Sequence, residues 1–207
     1  MKNPKPVIGI DIDDVLIDFN DAVLKFHNQN YGTHFKVKDI VEFAFEKLWN
    51  CTTEEVNARV TAFYNSPLHI QIKPVAGAVK AVEKLAKKYD LVAVSARPSN
   101  VLVLTQKLLD LYFKGNLKKV ILTNAFSLTG HKKTKAEVCQ EINATVLIDD
   151  SLANALECSK QKISVILLRR LWNQEMTDED LLKNNIYPAK NWPEILKVVM
   201  QLEKTTL

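Results

Sequence analysis

Five aspartates fall in two clusters, and each cluster directly follows an apolar run. Asp11, Asp13 and Asp14 come after Val7-Ile8-Gly9-Ile10, and Asp149 and Asp150 come after Thr145–Ile148. A carboxylate can attack phosphorus, carry a proton or bind a hard cation. If the two strands end side by side, their acids meet in one crevice. Two carboxylates about 4 Å apart repel by roughly 4 kcal/mol at an effective dielectric of about 20. Either some of the acids protonate or a cation sits among them. Oxygen-only ligands suit Mg²⁺, which binds through one or two carboxylates and keeps several waters. Taken singly, each Asp could be a turn residue or a helix N-cap. Two clusters, each at the end of an apolar strand, argue for a site instead.

The elements that must position these acids alternate. Apolar runs at Val7–Ile10, Leu91–Val94, Val120–Leu122, Thr145–Ile148 and Ser164–Leu168 lack a polar face, which suits a parallel sheet covered on both sides. Helical patterns separate them at Val75–Lys88, Val101–Tyr112, Thr134–Ile142 and Leu152–Lys160, with Thr134 as an N-cap. Strand alternating with helix predicts an α/β fold in which ligands bind outside the carboxyl ends of the strands. Residues 19–73 break the alternation and read as all-helical, with helices over Asn20–Asn30, Val37–Trp49 and Thr53–Asn65. The C-terminus reads as a short helix Asp178–Leu182, a turn at Pro188 and a helix Pro193–Leu202 that Pro193 can open.

Composition narrows the classes. The chain has 207 residues, 47% hydrophobic and 25% charged, enough for one domain with a modest insertion. The formal charge of +4 is spread along the chain with no basic block, so no nucleic-acid polymer is expected as a partner. Cys51, Cys139 and Cys158 are odd in number and form no C-x-x-C, which points to reduced thiols in a cytoplasmic protein. The polar start, Met1 to Pro6, has no signal-like apolar region, and no run is long enough to span a membrane.

Asp11-Ile12-Asp13-Asp14-Val15-Leu16 resembles the D-x-D-x-[VT]-L motif of the haloacid dehalogenase superfamily of phosphatases. Ser95 at a strand end, a lysine at a helix start and Asp149-Asp150 resemble its three further motifs, and the four occur in the family's order. Within the superfamily the chain is similar to the 5'(3')-deoxyribonucleotidases and related nucleotidases. They share the stretch that here runs to Asp18-Phe19, and Arg170-Leu171-Trp172-Asn173 stands where they carry a Pro-Trp-Asn. Asp14 replaces their glycine and Leu171 their proline.

The resemblance implies a three-layer Rossmann-like parallel sheet. Residues 1–18 and 74–207 would form the catalytic core, and 19–73 a small helical cap inserted after the first strand. It implies Mg²⁺-dependent hydrolysis of a small phosphorylated metabolite, with a nucleoside monophosphate favoured. Asp11 would be the covalent nucleophile, and Asp13 the acid and base, its carbonyl also on the metal. Ser95 would hold phosphoryl oxygens. Lys135 would neutralise charge, with Lys133 and Lys132 as alternatives. Asp149 and Asp150 would complete the metal site, Asp150 acting from behind or serving only as a helix N-cap. Phe19 would lie against a base or pack in the insertion. Arg97 would reach phosphate or make a surface contact, and Trp172-Asn173 would line the site edge or simply pack. The histidines suggest no chemistry. Two other readings share the scaffold: a phosphomutase that passes the phosphoryl group to another acceptor, and a nucleotide-binding module without catalysis.

Overall fold

The computed structural model describes residues 4–42, 44–127 and 129–205. In chain order its elements are β1 (Val7–Ile10), α1 (Phe19–Tyr31), α2 (Phe45–Trp49), α3 (Thr53–Tyr64), α4 (Ala78–Leu85), β2 (Asp90–Ser95), α5 (Leu102–Phe113), β3 (Leu117–Leu122), α6 (Lys135–Glu141), β4 (Ala144–Asp149), α7 (Leu152–Lys160), β5 (Ser164–Leu168), α8 (Asp178–Lys183), β6 (Ile186–Ala189) and α9 (Trp192–Thr205). Among the described residues the strands form one six-stranded sheet in the order β3-β2-β1-β4-β5-β6. Every neighbouring pair is parallel.

Side chains alternate across the strands and fill two cores. Ile8, Ile10, Ile148, Ile166 and Leu168 point to one face, where Ala78, Val82 and Leu85 of α4, Leu108 and Phe113 of α5 and Ile195 and Val199 of α9 cover them. Leu147, Val165 and Leu167 point to the other face, against Ala136 and Cys139 of α6, Ala155 and Cys158 of α7 and Leu181 of α8. The result is the expected three-layer α/β architecture. Gly9 in β1 lets the second face close tightly: a Cβ there would stand 3.3 Å from both Cys139 Sγ and Leu147 Cδ1.

The strand order reverses beside β1, so the crevice lies at the ends of β1 and β4. Their register pairs Ile10 with Ile148, and the Asp11 N–H donates to the Ile148 carbonyl at 2.8 Å. The residue after each partner is an aspartate, Asp11 on one strand and Asp149 on the other.

The chain between β1 and α4 is helical but less regular than its sequence suggests. The helix expected over Val37–Trp49 is instead a 3₁₀ turn at Val37–Asp39 and the short α2. The Asp39 carboxylate accepts from the Lys36 N–H at 2.8 Å and closes the turn locally. Ile40 then turns extended and buries its side chain at 4% exposure. Such local side-chain bonds compete with helix. α3 starts where expected, because Thr52 and Glu55 form a reciprocal capping box. Phe19 and Phe26 of α1 pack on Phe63 of α3 with centroids 5.6 Å apart in both pairs. The two crossings between sheet and helical segment run side by side: Asp18 N–H donates to Lys73 O at 2.9 Å, and Val75 N–H donates to Leu16 O at 3.0 Å.

One strand escaped the sequence reading. Pro188, expected in a turn, lies in β6 opposite Leu167, at the sheet edge. An edge strand can carry a proline because its missing N–H costs no ladder bond there.

Asp14 occupies a left-handed conformation, φ +57°, in the turn after β1, and its carboxylate accepts the Asn20 N–H at 3.1 Å. A glycine is at ease in that conformation, and a Cβ costs about 1–2 kcal/mol. Asp14→Gly and Asp14→Ala lose the same hydrogen bond and the same buried charge. Urea unfolding should therefore place the alanine variant about 1 kcal/mol below the glycine variant. Equal stabilities would show that the turn relaxes in solution.

Candidate active site

Asp11, 6% exposed, directly follows β1, and Asp149, fully buried, ends β4. Between them stands the Lys135 ammonium, 2.7 Å from Asp11 Oδ1 and 2.7 Å from Asp149 Oδ2. Lys135 is the first residue of α6. Its place follows from the cap before it: Thr134 accepts the Glu137 N–H at 3.2 Å, and Glu137 accepts the Thr134 N–H at 2.7 Å. Of the other two lysines, Lys133 pairs with Glu141 at the surface, 2.6 Å, and Lys132 is an exposed residue lining the neighbouring cavity.

The Asp11, Asp149 and Asp150 carboxylates lie close enough that one oxygen from each falls within 4.8 Å of the others. Burial holds the Asp11 carboxyl well above the usual carboxylate range; Lys135 opposes this, and Asp149 and Asp150 add to it. Asp150 is raised in the same way, first by burial and then by Asp149. Burial alone would lower Lys135, but the two flanking carboxylates outweigh it and hold its pKa above the ordinary lysine range.

Asp150 does not cap α7. That cap is Ser151, whose hydroxyl accepts from the Asn154 N–H at 3.3 Å. Instead Asp150 Oδ2 accepts the Trp172 indole N–H at 2.8 Å, while the Asn173 amide donates to the Asp150 carbonyl at 2.7 Å. Trp172 and Asn173 thus fix the loop after β4. Nearby, Arg170 Nη2 donates to the Asp14 carbonyl at 2.5 Å, and the Trp192 indole donates to Val15 O at 2.9 Å. The loop after β1 is held from both sides.

Asp13 points away from the three-carboxylate cluster. Its carboxylate takes a two-pronged bond from Arg97, with Nη2–Oδ1 2.7 Å and Nε–Oδ2 3.0 Å, and a longer 3.4 Å bond from the Ser95 hydroxyl. Arg97 is no surface residue: it is 1% exposed and gives Nη1 to Thr105 Oγ1 at 3.0 Å and to His69 Nε2 at 3.3 Å. Burial and the Arg97 charge push His69 down to about 4, so it is a neutral acceptor. Nothing in the sequence singled out His69 or Thr105. Only the nearness of Arg97 to Ser95 in the chain hinted at this network.

A cavity of about 310 Å³ opens from Asp13. The helical segment supplies Phe19, Ile40, Phe45, Val60 and Tyr64, and the loops after β2 and β3 supply Pro98 and Phe126. A mostly apolar cleft of this size with a few polar groups suits a small organic ligand. Phe19 lines the cavity and packs on Phe63.

Residues 5–204 match the family described as 5' nucleotidase, deoxy (pyrimidine), cytosolic type C protein. The chain belongs to this family. The type C 5'-nucleotidase assignment agrees with a curated relative, nucleotidase CA_C3379 of Clostridium acetobutylicum, 27% identical over 94% of both chains. Solved structures share the fold. The haloacid dehalogenase-like hydrolase SP0104 of Streptococcus pneumoniae superposes with a TM-score of 0.69 at 14% identity, over 94% of this chain and 98% of that one. The hydrolase YfnB of Bacillus subtilis, solved with bound magnesium, gives 0.63 at 16% identity, over 95% and 99%. This nucleotidase-family chain is therefore a phosphatase of the haloacid dehalogenase type, and not a bare binding scaffold. Among its described residues no helix is long and apolar enough to cross a membrane.

Removing the ammonium between two buried carboxylates leaves charge uncompensated. Lys135→Met should cost roughly 3 kcal/mol of folding stability at neutral pH in chelator, as expected for breaking a buried pair. Asp11 already sits above its unfolded pKa, so the folded variant binds protons more readily than the unfolded chain. The loss relative to wild type should shrink as pH falls through the acidic range, read from urea midpoints. A loss independent of pH would show that charge is not its cause.

Proposed function

We propose that this phosphatase is a Mg²⁺-dependent nucleotidase that cleaves nucleoside monophosphates through an aspartyl-phosphate on Asp11. The observation that carries the reading is the Lys135 ammonium bridging Asp11 and Asp149, with Asp150 in the same cluster, beside a cavity wide enough for a nucleoside. The family description and the named relative support the nucleotide, and the same description supports a cytosolic location.

The donors fit Mg²⁺. All are carboxylate oxygens, and the cluster carries three acids against one lysine. Asp150, 1% exposed, meets an indole N–H but forms no ion pair among the described residues. Asp11, Asp149 and Asp150 would hold the ion, with the Asp13 carbonyl. Bound there, a divalent ion neutralises the carboxylates and the phosphoryl oxygens.

The chain's own groups supply the rest. An Asp11 oxygen attacks phosphorus, the phosphorus–ester oxygen bond breaks, and Asp13 gives the departing oxygen a proton. Asp13 then takes a proton from water, whose oxygen displaces Asp11 from phosphorus. The products are an alcohol and inorganic phosphate. Ser95 and the N–H groups after it hold phosphoryl oxygens, while Lys135 offsets the charge that builds on them. Residues 19–73 act as a cap, with the paired crossings at 18 and 73 as the hinge, and Phe19 lies against the base. Closure of such a segment excludes water. The YfnB structure is described as showing interdomain movement, which supports a mobile cap here.

With Mg²⁺ present, the protein should release phosphate from a panel of 5'- and 3'-nucleoside and deoxynucleoside monophosphates, and EDTA should stop it. Asp11→Asn should abolish release with unchanged circular dichroism, and Asp13→Asn should lower kcat by roughly 10²–10⁴-fold. Folded, metal-loaded protein that hydrolyses other phosphomonoesters but no nucleotide would overturn the substrate. Transfer of phosphate to a second sugar phosphate would make it a mutase.

A further inference from the structure

Arg97 makes contacts that the reaction above leaves unexplained. A fully buried guanidinium is expensive, and an apolar residue of similar size often serves the fold as well or better. Here the donors are matched one by one. Nε and Nη2 form a fork on both oxygens of Asp13, and Nη1 reaches Thr105 and His69. The charge also lies 5.4 Å from the Phe19 ring centroid and 5.2 Å from that of Tyr64. With these groups occupied by protein partners, the guanidinium is poorly placed as the main phosphate ligand.

The fork has a geometric effect. Asp13 follows a strand by three residues, and its carboxylate is 21% exposed, at the mouth of the cavity. A bidentate arginine sets both the position and the plane of a carboxylate. Misplacing a reacting group by about 1 Å can cost roughly 10²-fold in rate. The side chains that hold Arg97 come from two parts of the chain. Thr105 lies on α5, whereas Phe19, Tyr64 and His69 lie within the helical segment.

Resting on the reaction proposed above, we infer that Arg97 is a positioning residue that orients Asp13 toward the leaving oxygen. Phe19, Tyr64 and His69 tie that orientation to the seating of the helical segment. The proton donor is then correctly aimed only while the segment is docked on the core.

The test separates proton donation from general damage by the leaving group. A nucleoside 5'-monophosphate expels an alkoxide and needs a proton, whereas p-nitrophenyl phosphate expels a stable phenolate. The readout is kcat/KM, which covers the steps up to departure of the leaving group. Arg97→Met should lower it for the nucleotide by about 10²-fold and for the aryl ester far less. Arg97→Lys keeps the charge without the fork and should fall between. Thr105→Val, a near-isosteric change outside the cavity, should show the same bias at smaller size. It carries the comparison if Arg97→Met does not fold. Equal losses on both esters would overturn the role of Arg97 while leaving the nucleotidase reading in place. A wild type inactive on both esters would overturn the two together.

Discussion

Lys135 holds apart two carboxylates that the sheet itself forces together. The register of β1 on β4 leaves no freedom: once Ile10 pairs with Ile148, the next residue on each strand is an aspartate at the same level. Unrelieved, that crowding would set two buried carboxylates against each other. The ammonium relieves it at 2.7 Å from each acid, and it can do so only because the Thr134 cap starts α6 at that point. The fold, the charge and the proposed chemistry therefore meet in one ion triad. The triad still leaves more acids than cations in the cluster, because Asp150 adds a third carboxyl with no ion pair among the described residues.

A second layer of contacts keeps the loops around that triad from spreading. Trp172 and Asn173 clamp the loop after β4, Arg170 and Trp192 clamp the loop after β1, and Arg97 clamps Asp13. Each clamp crosses between elements distant in the chain, and all but the Arg97 fork grip a backbone carbonyl or lock one carboxylate oxygen. Such support holds side chains to small tolerances, as the proposed catalysis by positioning demands. The left-handed Asp14 fits the same pattern, a residue kept in an uneasy conformation because its carbonyl and carboxylate are both bonded.

The sheet was legible because its strands are apolar throughout, and burial on both faces leaves no other use for such runs. The triad was legible for a related reason: acids at the ends of two such strands and a lysine behind a threonine cap are local signals. What escaped depended on distant partners. Arg97 looks like a surface residue until Asp13 arrives from 84 residues away. His69 carries no mark in the sequence, since its role comes from the guanidinium it faces. Residues 37–49 have helical spacing, but Asp39 and the buried Ile40 satisfy the chain locally and the helix never propagates. Pro188 suggested a turn, and only the place of β6 at the edge makes it tolerable in a strand.

The claim beneath the rest is that Asp11 is the atom acceptor for phosphorus and that a divalent ion completes the acid cluster beside it. A crystal structure of the protein soaked with Mg²⁺ and fluoroberyllate, a mimic of an aspartyl-phosphate, addresses both at once. The account predicts trifluoroberyllate on an Asp11 oxygen, with Lys135 against its fluorines and the metal among Asp11, Asp149 and Asp150. Fluoroberyllate on another side chain, or a metal bound away from these three carboxylates, would contradict it.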